Sequence, residues 1–181
     1  MIVQEKAINL KDGRAAALRT PGAADAAALL QYAKTSFGET EFLSRYPDEF
    51  AFTPEQERDW IEQSRNSPNT APVACFVDGR LAANGQIDFM PQRKTRHRAT
   101  VSLAVLREYW GLGIGSALFE QFLALARQRG VEIVELAYME GNERGRRLYE
   151  KFGFAPVGEI PRAYKLADGS YRSEILMQKN L

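Results

Sequence analysis

The sequence has a single cysteine and a single histidine, and this scarcity excludes several kinds of site. Cys75 has no partner within the chain, so no disulfide framework can form, which fits a reducing compartment. It lies in an apolar run that predicts a core strand, whereas His97 lies in a polar hairpin. The two residues therefore do not suggest a nucleophilic pair. They also supply too few ligands for zinc, and we expect no metal.

Neither sign of charge is in excess, because 24 basic residues balance 23 acidic ones to a net charge of +1. Surfaces that bind nucleic acid normally show a basic excess, so we expect no nucleic-acid partner. Long apolar runs are missing too. The opening segment, MIVQEKAINL, mixes acids with bases and resembles neither a signal peptide nor a membrane span. We therefore expect a cytoplasmic protein with no membrane partner.

The length and the periodicity of the 181 residues predict one domain over residues 1–181, with a core that needs no disulfides. Apolar alternation and turn signals predict seven strands, at 15–19, 72–78, 81–90, 101–105, 131–139, 154–161 and 171–177. Four helices are predicted between them. Asp25 is expected to cap the first helix, and Thr53-Pro54-Glu55-Gln56 has the pattern of a capping box at the second. Residues 36–52 between these helices are predicted to be irregular. The result is a mixed α/β sheet with helices on both faces.

One stretch, VSLAVLREYWGLGIGSALFEQFLAL at 101–125, has the order of elements that an anion site needs. A short buried strand is followed by Gly111, Gly113 and Gly115 and then by a strongly amphipathic helix, predicted from Gly115 to Arg129. Glycines let successive backbone N–H groups point into one concavity, and the first helical turn adds unpaired donors and the positive end of the helix dipole. We therefore predict a phosphate site here.

Three ligands compete for this site. A dinucleotide fold requires G-x-G-x-x-G near the start of a strand-helix-strand unit, but the spacing here is G-x-G-x-G, more than a hundred residues into the chain. A nucleoside triphosphate loop requires Gly-Lys-Ser/Thr, but here Gly115 is followed directly by Ser116 and the lysine is missing. The third ligand is an acyl-coenzyme A.

A second motif, NERGRRLYEKFGF at 142–154, favours the third ligand. Together the two stretches resemble the GCN5-related N-acetyltransferase (GNAT) family, which has a pyrophosphate loop R/Q-x-x-G-x-G/A and a later N…LYEK.GF pattern. One position departs from the first motif, because Trp110 stands where that family usually has Arg or Gln. The resemblance implies a GNAT-like, mostly antiparallel sheet of seven strands with about four helices on both faces.

The resemblance also implies a set of coenzyme-binding residues. The backbone amides of the glycine-rich turn would bind the pyrophosphate, and the exposed backbone of the preceding strand would pair with the pantetheine arm where that strand bulges and splays from the next one. The Val105 N–H would face the thioester oxygen. The implied residues are Leu103, Ala104, Val105, Gly111, Leu112, Gly113, Ile114, Gly115, Ser116 and Asn142.

Two residues of the second motif have a structural alternative. Tyr149 matches the family tyrosine near the coenzyme sulfur and would be a general acid, or it is an aromatic residue packed on the sheet. Asn142 matches the asparagine that contacts pantetheine, or it is the N-cap of its helix. Gly145 stands where relatives usually have alanine, and the sequence does not explain it.

The residues that would bind and deprotonate the acceptor amine are less defined. The family lines its acceptor side with the region between its first two helices, here residues 36–52. The aromatic residues and acids of that segment suit a cationic or amphipathic amine, or they are solvated loop acids over a packed aromatic cluster. The candidates for the general base are Glu135, Glu39, Glu41 or a water held by the backbone.

The function implied by the resemblance is transfer of the acetyl group of acetyl-CoA, a co-substrate, to a primary amine by direct attack in a ternary complex. The expected acceptor and partner is a small molecule, an amino acid or an amino-bearing toxic compound. Two alternatives stay open: a protein or peptide N-acetyltransferase, and a module that binds CoA for regulation without chemistry. Dimers are common among members of this family, which leaves a homodimer open.

Overall fold

The computed structural model describes all residues from Met1 to Leu181. It has four α-helices: α1 (Ala26–Glu39), α2 (Pro54–Asn66), α3 (Ile114–Gln128) and α4 (Glu143–Lys151). It has eight strands: β1 (Lys6–Asn9), β2 (Ala15–Arg19), β3 (Thr70–Val77), β4 (Arg80–Phe89), β5 (Arg98–Val105), β6 (Ile133–Met139), β7 (Ala155–Lys165) and β8 (Tyr171–Asn180).

All eight strands form one sheet in the order β1-β2-β3-β4-β5-β6-β8-β7. Every neighbouring pair is antiparallel except β5–β6, which confirms the mixed, mostly antiparallel sheet. The predicted count of seven strands is wrong by one, because β1 pairs with β2 at the edge of the sheet. This strand shows no apolar alternation, since three of its four residues are exposed, and that is why the sequence did not reveal it.

The helices cover both faces of the sheet, as predicted. Helices α1 and α2 pack together against β3 and β4, whereas α3 packs on β4 and β5 with the fully buried Phe119 and Phe122. Cys75 lies in this core with no exposed surface, and burial raises the pKa of its thiol to about 11. A nucleophilic role for Cys75 is therefore excluded at neutral pH. No helix combines the length and apolar character that crossing a bilayer requires.

Two local predictions at the helix starts had different outcomes. Thr53 and Gln56 form the expected capping box, with N–H to oxygen distances of 3.2 and 2.8 Å. Asp25 does not cap α1, because its carboxylate is bound by the Arg19 guanidinium at 2.7 and 2.9 Å and by the Gly22 N–H. A charged, bidentate partner is a stronger donor than the backbone N–H of a helix end. Helix α1 also continues to Glu39, so the irregular segment begins at Thr40 rather than at residue 36.

The parallel pair β5–β6 opens along its length. Only Arg98, Ala99 and Thr100 pair with β6, at residues 133–135, whereas β5 stays paired with β4 along residues 99–105. Beyond Thr100 the two strands diverge, and β6 pairs with β8 alone. The sheet therefore contains a gap beside the second half of β5, which leads to the glycine-rich turn and α3.

Candidate active site

The gap between β5 and β6 opens into a cavity of about 960 Å³. The cavity is lined by β5, the glycine-rich turn, the first turn of α3 and one side of α4. It brings together Leu103, Ala104, Val105, Gly111, Gly113, Ile114, Gly115, Ser116, Asn142 and Tyr149. Leu112 is in the same turn, but it does not line the cavity.

The glycine-rich turn has the backbone geometry of an anion cradle. Gly111 and Gly113 have φ values of +81° and +97°, a region where a side chain would be strained. Gly113 is also the N-cap of α3, so the N–H groups of the first helical turn point out of the helix without an intrahelical acceptor. A Cβ on Gly115 would lie 2.9 Å from Leu148 of α4, so glycine lets the two helices approach closely here.

Basic side chains surround this turn. Lys11, from the β1–β2 connection, lies against Gly113, and its N–H donates to the Leu112 carbonyl at 3.1 Å. The Lys151 ammonium donates to the Ser116 hydroxyl at 3.0 Å. The cavity is also lined by Arg144 and Arg147. Sequence reasoning missed these four cations, because the net charge of +1 conceals their concentration at one place.

Trp110, the departure from the family motif, stabilises the end of β5. Its indole N–H donates to the Val105 carbonyl at 2.7 Å. The Arg144 guanidinium lies 4.3 Å from the centroid of its ring, within the range of a cation–π contact. Trp110 thus holds an arginine of α4 beside the turn, at the place where the family motif would supply a basic or amide side chain.

The backbone of β5 presents alternate residues to the gap. The Leu106 N–H donates to the Ala82 carbonyl at 2.9 Å, so residues 106 and 104 direct their polar groups toward β4. Leu103 and Val105, at the intervening positions, direct theirs toward the gap. The Val105 carbonyl is bound by Trp110, which leaves the Val105 N–H facing the cavity.

A tyrosine hydroxyl is inserted between β4 and β5 at this level. The Tyr32 hydroxyl donates to the Ala104 carbonyl at 2.7 Å and accepts from the Asn84 N–H at 3.2 Å. Burial raises the pKa of Tyr32, so the phenol keeps the proton that this bridge requires. The bridge is where β5 departs from a regular ladder, and no register shift accompanies it.

Tyr149 lies on α4, where its ring packs against other aromatic rings and the residue lines the cavity. The ring centroid is 5.7 Å from that of Phe119 and 5.5 Å from that of Tyr138. Burial, with a smaller contribution from Tyr138, raises the pKa of Tyr149 to about 12. The tyrosine therefore packs against other aromatic residues and also borders the cavity, so the two interpretations of this residue are compatible. Its role as an acid stays a prediction.

Asn142 is the N-cap of α4, and the same geometry explains Gly145. The Asn142 Oδ1 accepts from the Gly145 N–H at 2.9 Å, and its amide nitrogen is left for another partner. A Cβ on Gly145 would lie 2.8 Å from that nitrogen and 3.0 Å from Oδ1. An alanine would therefore displace the capping side chain. One asparagine can cap the helix with its oxygen and still donate into the cavity with its nitrogen.

None of the three carboxylates proposed as general base lines the cavity. Glu135 lies at the paired end of β5–β6, bound by Arg98 at 2.7 Å and by Gln178 at 2.5 Å. Glu39 accepts from the Arg107 N–H at 2.7 Å, and Glu41 is exposed.

The cavity is instead lined by Glu174 of β8, a residue that no sequence motif indicated. Its carboxylate accepts from the Tyr164 hydroxyl at 2.5 Å. Burial and this hydrogen bond raise the pKa of Tyr164 to about 12. The phenol therefore remains a donor to Glu174. Glu143, a second carboxylate of the cavity, is paired with Arg146 at 2.7 Å.

A second cavity of about 540 Å³ lies against α1, α2 and the irregular segment. The two cavities meet at Leu43, Ser44, Ser102, Leu103 and Ala104. Aromatic residues form its walls, as predicted for residues 36–52, but the acids of that segment do not line it. Its one acid is Glu57 of α2, which is only 5% exposed. The sequence did not reveal Glu57, because a glutamate on a polar helix is normally solvated.

Comparison with known proteins agrees with this geometry. The acetyltransferase (GNAT) family model matches residues 28–154, which include the cavity from β5 to α4. An acetyltransferase of the GNAT family from Streptococcus pneumoniae superposes with a TM-score of 0.85 at 25% identity, over 92% of this chain and 99% of that one. A protein from Salmonella typhimurium, solved with its cofactor acetyl-CoA, has a TM-score of 0.77 at 18% identity, over 92% of this chain and 94% of that one.

A shorter match exists to a curated protein. The mycothiol acetyltransferase of Beutenbergia cavernae is 54% identical over 48 residues. The match spans 26% of this chain and only 16% of that protein's length.

Proposed function

This chain belongs to the acetyltransferase (GNAT) family, and on that premise we propose that it transfers the acetyl group of acetyl-CoA to a primary amine of a small molecule. The observation that supports the proposal best is the gap beside β5. It lies in one cavity with a positive-φ glycine turn, a helix N-terminus and Tyr149. The turn and the helix N-terminus suit a pyrophosphate, the gap beside β5 suits an extended amide chain, and Tyr149 suits a leaving thiolate.

The residues of the cavity fit the coenzyme in two places. The N–H groups from Gly111 to Ser116 and the cations Lys11, Arg144 and Lys151 would bind its phosphates. The backbone polar groups of Leu103 and the free Val105 N–H would pair with its amide arm as an added strand. The Asn142 amide nitrogen would donate to the same arm. Bound in this way, the coenzyme supplies an activated acetyl thioester for direct attack by the amine.

The Val105 N–H is placed to donate to the thioester oxygen, where negative charge grows during attack. The Tyr149 hydroxyl, kept protonated by its raised pKa, donates to the leaving sulfur. A thiol has a pKa of about 8.5, so a hydrogen bond stabilises the departing thiolate even before a proton is transferred.

Glu174 is the residue that we assign to removal of the proton from the attacking amine. An alkylammonium must lose a proton before it can attack, because its pKa is about 10. One carboxylate oxygen of Glu174 accepts from Tyr164, which fixes the carboxylate in the cavity and leaves the other oxygen as acceptor.

The second cavity supports a small acceptor rather than a protein. It has a volume of about 540 Å³, the size of a small-molecule site, and aromatic side chains line it. A protein or peptide substrate would instead require an open groove for an extended backbone.

Thiol release from acetyl-CoA, measured across a panel of primary amines, tests the proposal. We expect turnover with at least one small amine, inhibition by CoA, and a 1:1 ratio of released thiol to acetylated amine by mass spectrometry. Turnover with peptides alone would favour the protein acetyltransferase. Saturable CoA binding without release for any amine would favour the regulatory module, and failure to bind CoA in large excess would contradict all three functions.

A further inference from the structure

Glu57 is a buried carboxylate with no partner of opposite charge. Its residue is 5% exposed, and no hydrogen bond or ion pair of the chain engages its side chain. Its neighbours on α2 behave differently, because Glu55 and Glu62 are exposed and lie near Arg58 and Arg65. Burial without compensation raises the pKa of Glu57. The carboxylate oxygens remain accessible from the cavity, so Glu57 is an acidic group that a ligand can reach.

Asn84, which lines the same cavity, carries a second oxygen without a donor. The Oδ1 of Asn84, on β4, is fully enclosed and accepts no hydrogen bond in the structure. An amide oxygen without a donor is uncommon in a folded interior, where the great majority of buried polar atoms are paired. The enclosed Asn84 oxygen does not reach the cavity, so Glu57 is the acceptor that the lining presents.

Aromatic rings form the remaining walls. Phe50 stacks on Phe52 with centroids 5.2 Å apart, and Phe37 lies 5.6 Å from Phe50. Trp60 of α2 lines the same cavity. Ring faces attract cations and pack against methylene groups. The basic residue of the lining, Arg45, is exposed on the irregular segment.

We propose that this cavity selects an acceptor with two basic nitrogens, in which Glu57 binds one as a cation while the other reaches the thioester beside β5. The inference rests on the proposed function. The reacting nitrogen must be neutral when it attacks, so the cation that Glu57 binds is the other one. The cavity meets the coenzyme cavity at Leu103 and Ala104, which gives a diamine or amino-guanidine one end at Glu57 and one end at β5.

The experiment compares α,ω-diamines of three to six carbons with 1-aminoalkanes of equal length. In the unaltered protein we expect kcat/KM for the best diamine to exceed that of its matched monoamine by about 10- to 100-fold, as for a charged hydrogen bond. Glu57→Gln keeps the shape and removes the charge, so this ratio should fall close to one. The matched control is Asp59→Asn on the exposed face of α2, which should leave the ratio unchanged.

Calorimetric titration of the same diamines into the protein saturated with CoA separates this inference from the proposed function. Diamine binding that Glu57→Gln weakens at least tenfold supports the site even without turnover. Turnover with equal preference for diamines and monoamines, unchanged by Glu57→Gln, overturns the inference and leaves the acetyltransferase standing. Tighter binding of amino acids that carry a carboxylate, lost in Arg45→Ala and not in Glu57→Gln, also overturns it.

Discussion

Tyr149 illustrates how burial sets the chemistry of a single phenol. With its pKa raised to about 12, the hydroxyl stays protonated at every pH where the protein works. We expect Tyr149→Phe to lower kcat by about 10² to 10⁴, the usual contribution of a positioned acid. The CoA dissociation constant should change little, because the ring keeps its contacts with Phe119 and Tyr138. Steady-state kinetics and calorimetry measure the two effects, and an undiminished kcat would remove Tyr149 from the chemistry.

Glu174 makes a separate prediction about the amine proton. Glu174→Gln preserves the acceptor for the Tyr164 hydroxyl but cannot take up a proton. We expect kcat/KM to fall by about 10² and the acidic limb of its pH profile to change. Glu143→Gln is the matched control, because Glu143 lines the same cavity but is paired with Arg146. Equal losses in both variants would argue that charge, rather than proton transfer, matters here.

The start of α4 depends on Gly145, a residue whose helix propensity is lower than that of alanine. Gly145→Ala gains up to about 1 kcal/mol of helix propensity. It also displaces the Asn142 cap, which is worth about 0.5–2 kcal/mol, so the midpoint of thermal unfolding should move little. The affinity for CoA should fall, because the Asn142 amide nitrogen leaves its position. A more stable variant with unchanged CoA affinity would contradict this account of the cap.

The Tyr32 bridge is the corresponding feature of the sheet. Tyr32→Phe leaves the Ala104 carbonyl and the Asn84 N–H without their partner. Each unpaired buried group is unfavourable by about 1–3 kcal/mol, so urea unfolding should show a clear loss of stability. Activity should fall further than stability explains, because β5 carries the Val105 N–H. Tyr46→Phe, at a position 42% exposed, is the control and should change neither.

Elements with strong local signals were predictable, and elements defined by distant contacts were not. The Thr53 capping box and the glycine turn depend on residues within a few positions of one another, and both are present. Asp25 also had a local signal for a cap, but its carboxylate is bound by Arg19 instead of by the N–H groups of the helix. β1 forms a strand because it pairs with the free edge of β2, and the sequence of β1 itself has no strand pattern.

The two cavities of the molecule also differ in how far local sequence signals predict them. The coenzyme side was predicted from two contiguous motifs, although the cation that approaches Gly113 comes from the β1–β2 connection. Glu57, Asn84 and Glu174 lie on three elements far apart in sequence, and only the folded sheet and its helices place them. Their burial is a property of the assembled chain.

Glu57 also makes the stability of the molecule depend on pH. Because its folded pKa is raised above an ordinary value of about 4.3, its favourable contribution is present below that pH and is lost as pH rises through the folded pKa. Glu57→Gln should therefore become more stable than the unaltered protein as pH rises from about 4 to 7. Arg45 is the basic residue of the same lining, and Asp59→Asn is the control. Urea unfolding at both pH values measures the difference, and a variant that loses stability toward neutral pH would show that Glu57 is paired.

The ring of Tyr32 forms part of the wall of the acceptor cavity, and its hydroxyl supports the strand beside the thioester. Tyr32 thus lines the acceptor cavity and binds Ala104, a residue that borders both cavities. We expect an acceptor amine that shifts Tyr32 to change the affinity for the coenzyme, and thermodynamic linkage requires this effect to be mutual. The factor by which the amine changes the affinity for the coenzyme equals the factor by which the coenzyme changes the affinity for the amine.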